Sequence, residues 1–204
     1  MTLKQSSLIA GCDEVGRGAG AADIYIGCVI LDPAKPIAGL RDSKKLSATR
    51  REQLSEEIKE KALAWSIATA NLDEIIEHNV LGATLLAMSK AVAQLSVTPE
   101  LVYVDGNKAP QLTVPVETII KGDDKVPAIS AASIIAKVAR DQKMVEWHDH
   151  YPEYGFDKHK GYLTQLHLQA LESHGPCPIH RVTYEPIRRV LLERKAKSDQ
   201  LGMF

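Results

Sequence analysis

Five short apolar runs, most of them rich in β-branched or aromatic residues, divide this chain, and their order restricts its fold more than any other feature. Residues 8–12 end at Asp13-Glu14, and residues 24–31 are stopped by Asp32-Pro33. Residues 64–70, 101–104 and 116–120 complete the set. Helical stretches separate them. Ser47 fits an N-cap for a helix to about Lys61, residues 81–95 are apolar at helical spacing, and residues 163–173 read as a further helix. Pro127 suits the first turn of a long helix. There Ala131, Ile134, Ile135 and Val138 predict one apolar face, with Ser133, Lys137 and Arg140 opposite. Three strands in succession suggest an antiparallel meander, and strands divided by helices suggest parallel pairing. The expected fold class is α/β, a mixed sheet flanked by helices.

A chain of 204 residues suffices for one compact domain and a small appendage. The expected division is a domain over residues 1–190 and a flexible polar tail over 191–204. Twenty-five basic against 26 acidic residues leave a net charge of −1, so any nucleic-acid partner must be argued from local clusters. Cys12, Cys28 and Cys177 fit neither a disulfide framework nor a zinc site and read as reduced thiols. No apolar run approaches the ~20 residues that span a bilayer, so a soluble cytoplasmic protein, without membrane contact and monomeric, is expected.

The chemistry lies where the strands stop. Asp13 and Glu14 follow the first apolar run, Asp105 follows the fourth, and Asp123 follows the fifth within Lys121-Gly122-Asp123. Parallel strands bring their carboxyl ends to one sheet edge, so these four carboxylates are expected to meet there. Clustered carboxylates raise one another's pKa unless cations neutralise them. Mg²⁺ or Mn²⁺, hard ions that take oxygen ligands, suit such a set, and a pair of them can assist phosphodiester cleavage. Any one Asp-Gly, taken singly, is a solvated turn.

Gly16-Arg17-Gly18 follows the acidic pair, and glycines admit close backbone approach to a ligand. Gly16-x-Gly18-x-x-Ala21 also fits a loose dinucleotide fingerprint, which would make the chain a nucleotide-cofactor oxidoreductase. That fingerprint needs a helix next, whereas residues 24–31 read as a strand. His148-Asp149-His150 has the look of a metal snippet but lacks a third ligand, and reads as structural.

Asp13-Glu14-Val15-Gly16-Arg17-Gly18 resembles the signature of the ribonuclease HII family. The resemblance continues through Asp42-Ser43-Lys44-Lys45-Leu46, Val104-Asp105-Gly106, Lys121-Gly122-Asp123 and residues 129–141. His159-Lys160-Gly161-Tyr162 and His180-Arg181 close the series. It implies an RNase H-like five-stranded mixed sheet with a helical C-terminal portion, and Asp13, Glu14, Asp105 and Asp123 as a catalytic set binding two Mn²⁺ or Mg²⁺ ions. Asp123, rather than the adjacent Asp124, matches the pattern. It further implies that the Gly16-Arg17-Gly18 backbone reads a ribose 2′-OH and that Tyr162 packs on the following deoxyribose. The implied activity is cleavage of RNA–DNA hybrids, and of DNA duplexes 5′ of embedded ribonucleotides, giving 3′-hydroxyl and 5′-phosphate ends. Ser43, Lys44, Lys45, Ser133, Lys137 and Arg181 are candidate phosphate contacts, together with Arg140, Lys158 and Lys160.

The family pattern continues Gly-Arg-Gly with Pro-Leu-x-Gly, where this chain has Ala19-Gly20-Ala21-Ala22-Asp23. Loss of the proline predicts a looser loop, and Asp23 adds a charge nearby. The alternative reading is therefore a catalytically impaired nucleic-acid-binding protein of the same fold. At the C-terminus Gln200, Leu201, Met203 and Phe204 resemble a bacterial sliding-clamp-binding peptide.

Overall fold

The computed structural model describes residues 8–41 and 43–201, with side chains described as far as residue 196. Strands β1 (Ile9–Val15), β2 (Ile24–Ile30) and β3 (Ala64–Ala70) form the expected antiparallel meander, and β4 (Leu101–Asp105) and β5 (Val116–Ile119) extend it in parallel. The sheet order is β3-β2-β1-β4-β5. One boundary differs in kind. β1 does not stop at Asp13 but runs to Val15, because β2 pairs with the acidic residues themselves, Asp13 with Gly27 and Glu14 with Ile26.

Alternation of side chains gives the sheet two packed faces. Ala10, Cys12, Ile26 and Cys28 face α2 (Leu72–Ala93), meeting Ala83, Ala87 and Met88. Val29 faces the other way, toward Leu54 and Ile58 of α1 (Ala48–Lys61) and Ala131, Ile134 and Ile135 of α4 (Pro127–His150). Helix α4 lies against the strands at backbone distance because Gly11 and Gly27 carry no side chain. A Cβ on Gly27 would sit 2.2 Å from the Ala132 carbonyl oxygen, and one on Gly11 2.1 Å from the Ala128 carbonyl carbon. Helix α2 begins at Leu72, well before the expected residue 81. Asn71 and Glu74 form a capping box there, and a kink at Asn79 (φ 55°) joins this turn to the apolar stretch. The short helix α3 (Gly122–Lys125) leads into α4.

Helices α5 (Phe156–His159), α6 (Gln165–His174) and α7 (Glu185–Leu201) close a second core around Met144, Tyr154, Phe156, Leu171 and Ile187, into which Ala21 and Ala22 also pack. The stretch expected as a flexible tail from residue 191 is instead helical to Leu201. Ile187 and Val190 anchor the first turns of α7 in this core, and Leu, Glu, Arg, Lys and Ala continue it as good helix formers. The backbone of Gln200 and Leu201 belongs to α7, whereas Met203 and Phe204 lie outside the described residues. No helix among the described residues is long and apolar enough to cross a membrane.

Three histidines, His159, His167 and His180, are buried in the second core. Burial pushes His167 and His180 down to about 4. An unfolded histidine titrates near 6.5. Because the folded values lie below the unfolded ones, the histidines' contribution is intact above pH ~6.5 and is lost as pH falls toward 4. Asp13 and Glu14, whose carboxyls are raised, act in the opposite sense, so a bare melting curve mixes the two. The comparison with His180→Gln isolates the histidine. The variant is expected to melt below the wild type at pH 7.5, with the gap narrowing by about 1–2 kcal/mol by pH 5. A gap independent of pH would contradict this.

Candidate active site

Parallel pairing sets Cys12 of β1 beside Val104 of β4, so the next residue of each strand, Asp13 and Asp105, arrives at the same carboxyl edge. Strand β5 runs alongside and leads through Lys121, in a left-handed conformation, to Gly122 and Asp123. The Asp105 Oδ1 atom accepts the Gly122 N–H at 2.6 Å, which ties the ends of β4 and β5 together. Asp13, Glu14, Asp105 and Asp123 all line one cleft of about 460 Å³. Of the expected substrate contacts, Gly16, Arg17, Gly18, Ser43, Lys44, Ser133, Lys137 and Tyr162 line the same cleft. Asp124 points elsewhere and pairs with Lys45 at 2.7 Å, so neither of these two residues is a cleft wall.

Burial, followed by repulsion from Glu14, holds the Asp13 carboxyl well above the usual range, against a hydrogen bond from Ser133. Glu14 is also raised, chiefly by burial, although the Arg17 guanidinium lies 3.5 Å away. The Ser43 and Ser133 hydroxyls meet at 2.9 Å, joining the turn before α1 to α4. Lys137, lowered chiefly by burial, pairs with Asp141 at 2.7 Å.

The donor set is all oxygen, and two of its members, Asp13 and Glu14, are raised first by burial and further by neighbouring carboxylates, which is the chemistry that a hard divalent ion relieves. Among the described residues, no three histidine, cysteine or acidic side chains are gathered tightly enough to grip an ion as they stand. His148, at the end of α4, lies 3.4 Å from Asp157.

The glycine loop separates two needs. Gly16 has φ +91°, and a Cβ there would fall 2.0 Å from Arg140 Nε, so the protein itself requires this glycine. A Cβ on Gly18 would meet no atom within 4 Å. Packing therefore does not demand glycine at 18, and the bare backbone is left facing the cleft.

Two expectations are corrected here. Arg140 is no phosphate contact on a polar helix face but fully buried, its guanidinium donating to the carbonyls of Ala21, Asp23 and Lys160. Arg181 is likewise no phosphate contact. It donates to the Ala22 carbonyl at 2.6 and 2.8 Å and to the Arg17 carbonyl at 3.0 Å. Irregular backbone leaves carbonyls without strand or helix partners, and an arginine with five donors satisfies several at once. These bonds also overturn the expected looseness of the loop. Ala19, Ala21 and Ala22 are buried, Ala22 N–H donates to Ile179 O, and Gly20 bonds to both Gly161 and Arg181. Ala22 is held at φ 62°, a left-handed strain that the surrounding bonds over-determine. Asp23 lines a separate pocket with Tyr25 and Trp147, not the carboxylate cleft. Sequence reasoning also missed Tyr184, whose hydroxyl donates to the Arg17 carbonyl, and no local pattern marks it.

Arg181→Gln is expected to cost about 2–4 kcal/mol by orphaning loop carbonyls. It should leave the salt dependence of nucleic-acid binding unchanged. A slope of log K against log salt reduced by about one would restore a phosphate contact to this residue.

The profile of the Ribonuclease HII family matches residues 10–187. The chain is 56% identical over 197 residues to the ribonuclease HII of Desulforamulus reducens, covering 97% of this chain and 98% of that protein. Among solved structures, the ribonuclease H2 of Pyrococcus horikoshii is similar with a TM-score of 0.76 and 26% identity over 92% of this chain and 98% of that one. The ribonuclease HII of Archaeoglobus fulgidus, solved in complex with PCNA, has a TM-score of 0.72 at 24% identity, covering 89% and 96% of the two chains.

Proposed function

The chain belongs to the ribonuclease HII family, a metal-dependent ribonuclease H that acts on RNA–DNA hybrids, and from that premise we propose that it also cuts DNA duplexes 5′ of single embedded ribonucleotides. The products are a 3′-hydroxyl and a 5′-phosphate, and the role is cytoplasmic removal of ribonucleotides from DNA. One observation carries the reading: four carboxylates, the bare backbone of Gly18 and the ring of Tyr162 share one cleft.

Asp13, Glu14, Asp105 and Asp123 would hold two Mg²⁺ or Mn²⁺ ions. When bound, such ions supply Lewis acidity for attack by water on phosphorus and neutralise charge on the departing 3′ oxygen. The protein's own groups select and orient the substrate. The Gly16-Arg17-Gly18 backbone approaches the ribose 2′-OH, which is absent from DNA. Tyr162 packs on the sugar that follows, favouring a deoxyribose. Lys44 and Lys137 with Ser43 and Ser133 bind phosphates from the cleft walls, and Lys45 does so from beside it.

Incubation with a labelled duplex containing one ribonucleotide, an RNA–DNA hybrid and an all-DNA duplex, with Mg²⁺, Mn²⁺ or EDTA, tests this. Metal-dependent cleavage of the first two alone is expected. Binding to them without cleavage would establish the impaired-binder alternative instead.

Gln200, Leu201, Met203 and Phe204 form the proposed sliding-clamp contact. The PCNA complex of the Archaeoglobus relative supports a clamp as partner. Deletion of residues 200–204 should abolish binding to the bacterial clamp while cleavage is unchanged; retained clamp binding would refute the assignment.

A further inference from the structure

A line of directed hydrogen bonds runs from the second core to the backbone of Tyr162. The Tyr162 carbonyl can only accept, so its 3.0 Å contact with His167 Nδ1 puts the His167 proton on Nδ1 and leaves Nε2 an acceptor. His180 Nε2 lies 2.9 Å from His167 Nε2, so His180 donates there and its own Nδ1 is left to accept. The Cys177 N–H donates to that nitrogen at 2.8 Å, closer than the Cys177 carbonyl at 3.2 Å. His159 supports the same turn from beside. Its Nδ1 accepts the Gly161 N–H at 3.2 Å, its Nε2 donates to the Tyr154 carbonyl at 2.8 Å, and its ring stacks on His167 with centroids 4.5 Å apart.

The outer side of this turn is held by the glycine loop. Gly20 N–H donates to the Gly161 carbonyl, and Arg140 to that of Lys160. Lys160 and Gly161 both adopt positive φ, so the turn needs such bonds to persist. It ends on Tyr162, 38% exposed in the cleft, with its ring 5.6 Å from the Arg140 guanidinium. Leucines would fill the space of buried imidazoles without polar desolvation. What the imidazoles add is a directional bond to one carbonyl.

We infer that His167 is a positioning residue for Tyr162, aimed by His180 in the tautomer that donates to the Tyr162 carbonyl. The inference rests on the reading of Tyr162 as the contact to the sugar after the ribonucleotide, so its test separates the two.

Asparagine places its amide nitrogen where His167 Nδ1 sits, and glutamine places its own where Nε2 sits. Each removes one of the two bonds and leaves a comparable defect in the core. The readout is the ratio of kcat/KM on a duplex with one ribonucleotide to kcat/KM on an RNA–DNA hybrid, whose sugars after the cut are ribose. A lower folded fraction changes both values equally and cancels. His167→Gln is expected to lower the ratio about fivefold, the effect one neutral hydrogen bond supports. His167→Asn should stay within about twofold of the wild type. Equal ratios in the two variants would overturn the inference. Tyr162→Ala is measured alongside. If it collapses the ratio while His167→Gln does not, the histidine assignment alone fails. If it leaves the ratio unchanged, the Tyr162 reading fails and the inference with it. Should neither His167 variant fold, His180→Gln, which retains a donor toward His167, and His180→Leu, which does not, give the same comparison. The ratio should then fall only in the leucine variant, and equal ratios again refute the proposal.

Discussion

Replacing Asp105 with asparagine is expected to abolish cleavage while leaving the protein as stable as before, or more so. The loss should reach three orders of magnitude or more, roughly 4 kcal/mol of transition-state stabilisation, because one charged ligand of a metal-binding set is removed. Stability should hold for two reasons. Asparagine keeps an oxygen to accept the Gly122 N–H. The Asp105 charge also raises both Asp13 and Glu14, so its removal relieves repulsion in the metal-free protein. Divalent ions should reverse the ranking. At about 100 times its Kd, Mn²⁺ adds ~2.7 kcal/mol to a protein that binds it only when folded. The wild type should gain this in a thermal melt, and Asp105→Asn should gain little. Near-normal turnover in the variant would remove Asp105 from the catalytic set.

The second large effect comes from backbone packing rather than from charge. Gly27→Ala is expected to destabilise the protein by about 3 kcal/mol or more, or to prevent folding. Alanine normally favours a strand over glycine by roughly 0.5–1 kcal/mol. Here its methyl would stand 2.2 Å from the Ala132 carbonyl oxygen, an atom of the α4 backbone that has no rotamer to change. The helix must retreat from the sheet, and Ser133 and Lys137 retreat with it from the cleft. Denaturant unfolding of Gly27→Ala beside Gly18→Ala, which meets open space, measures the difference. Equal stability of the two variants would contradict this packing.

The sheet was readable because its strands announce themselves as apolar runs stopped by turn residues, although the connections do not give the pairing away: α1 lies between the antiparallel β2 and β3, and no helix separates the parallel β4 and β5. The acidic residues were readable as a group for the same reason. Asp13 and Glu14 nevertheless look like the end of a strand when they are part of one, since charge ordinarily marks solvent and nothing local reveals that β2 pairs with both. Arg140 and Arg181 were misread on the same rule. A guanidinium ordinarily marks a wet surface, yet these two are buried because loops distant in sequence present bare carbonyls to them. The histidine line is less visible still. His167 and His180 are 13 residues apart, on either side of a helix end, and only the tertiary fold gives their tautomers a direction. The bonds that hold irregular backbone in place leave little periodic trace, and the Gly16-Arg17-Gly18 and Tyr162 walls of the cleft rest on such backbone.

With divalent ions bound, the carboxylate cleft is expected to hydrolyse the phosphodiester on the 5′ side of a ribonucleotide in duplex DNA. Sizing and end analysis of the products from a duplex containing one ribonucleotide, in Mn²⁺ or Mg²⁺, tests this directly. The expected result is a single cut 5′ of the ribonucleotide, with a 3′-hydroxyl on the upstream fragment and a 5′-phosphate on the fragment that begins with the ribonucleotide. A cut on the 3′ side, leaving a cyclic phosphate from attack by the 2′-OH and persisting in EDTA, would contradict it.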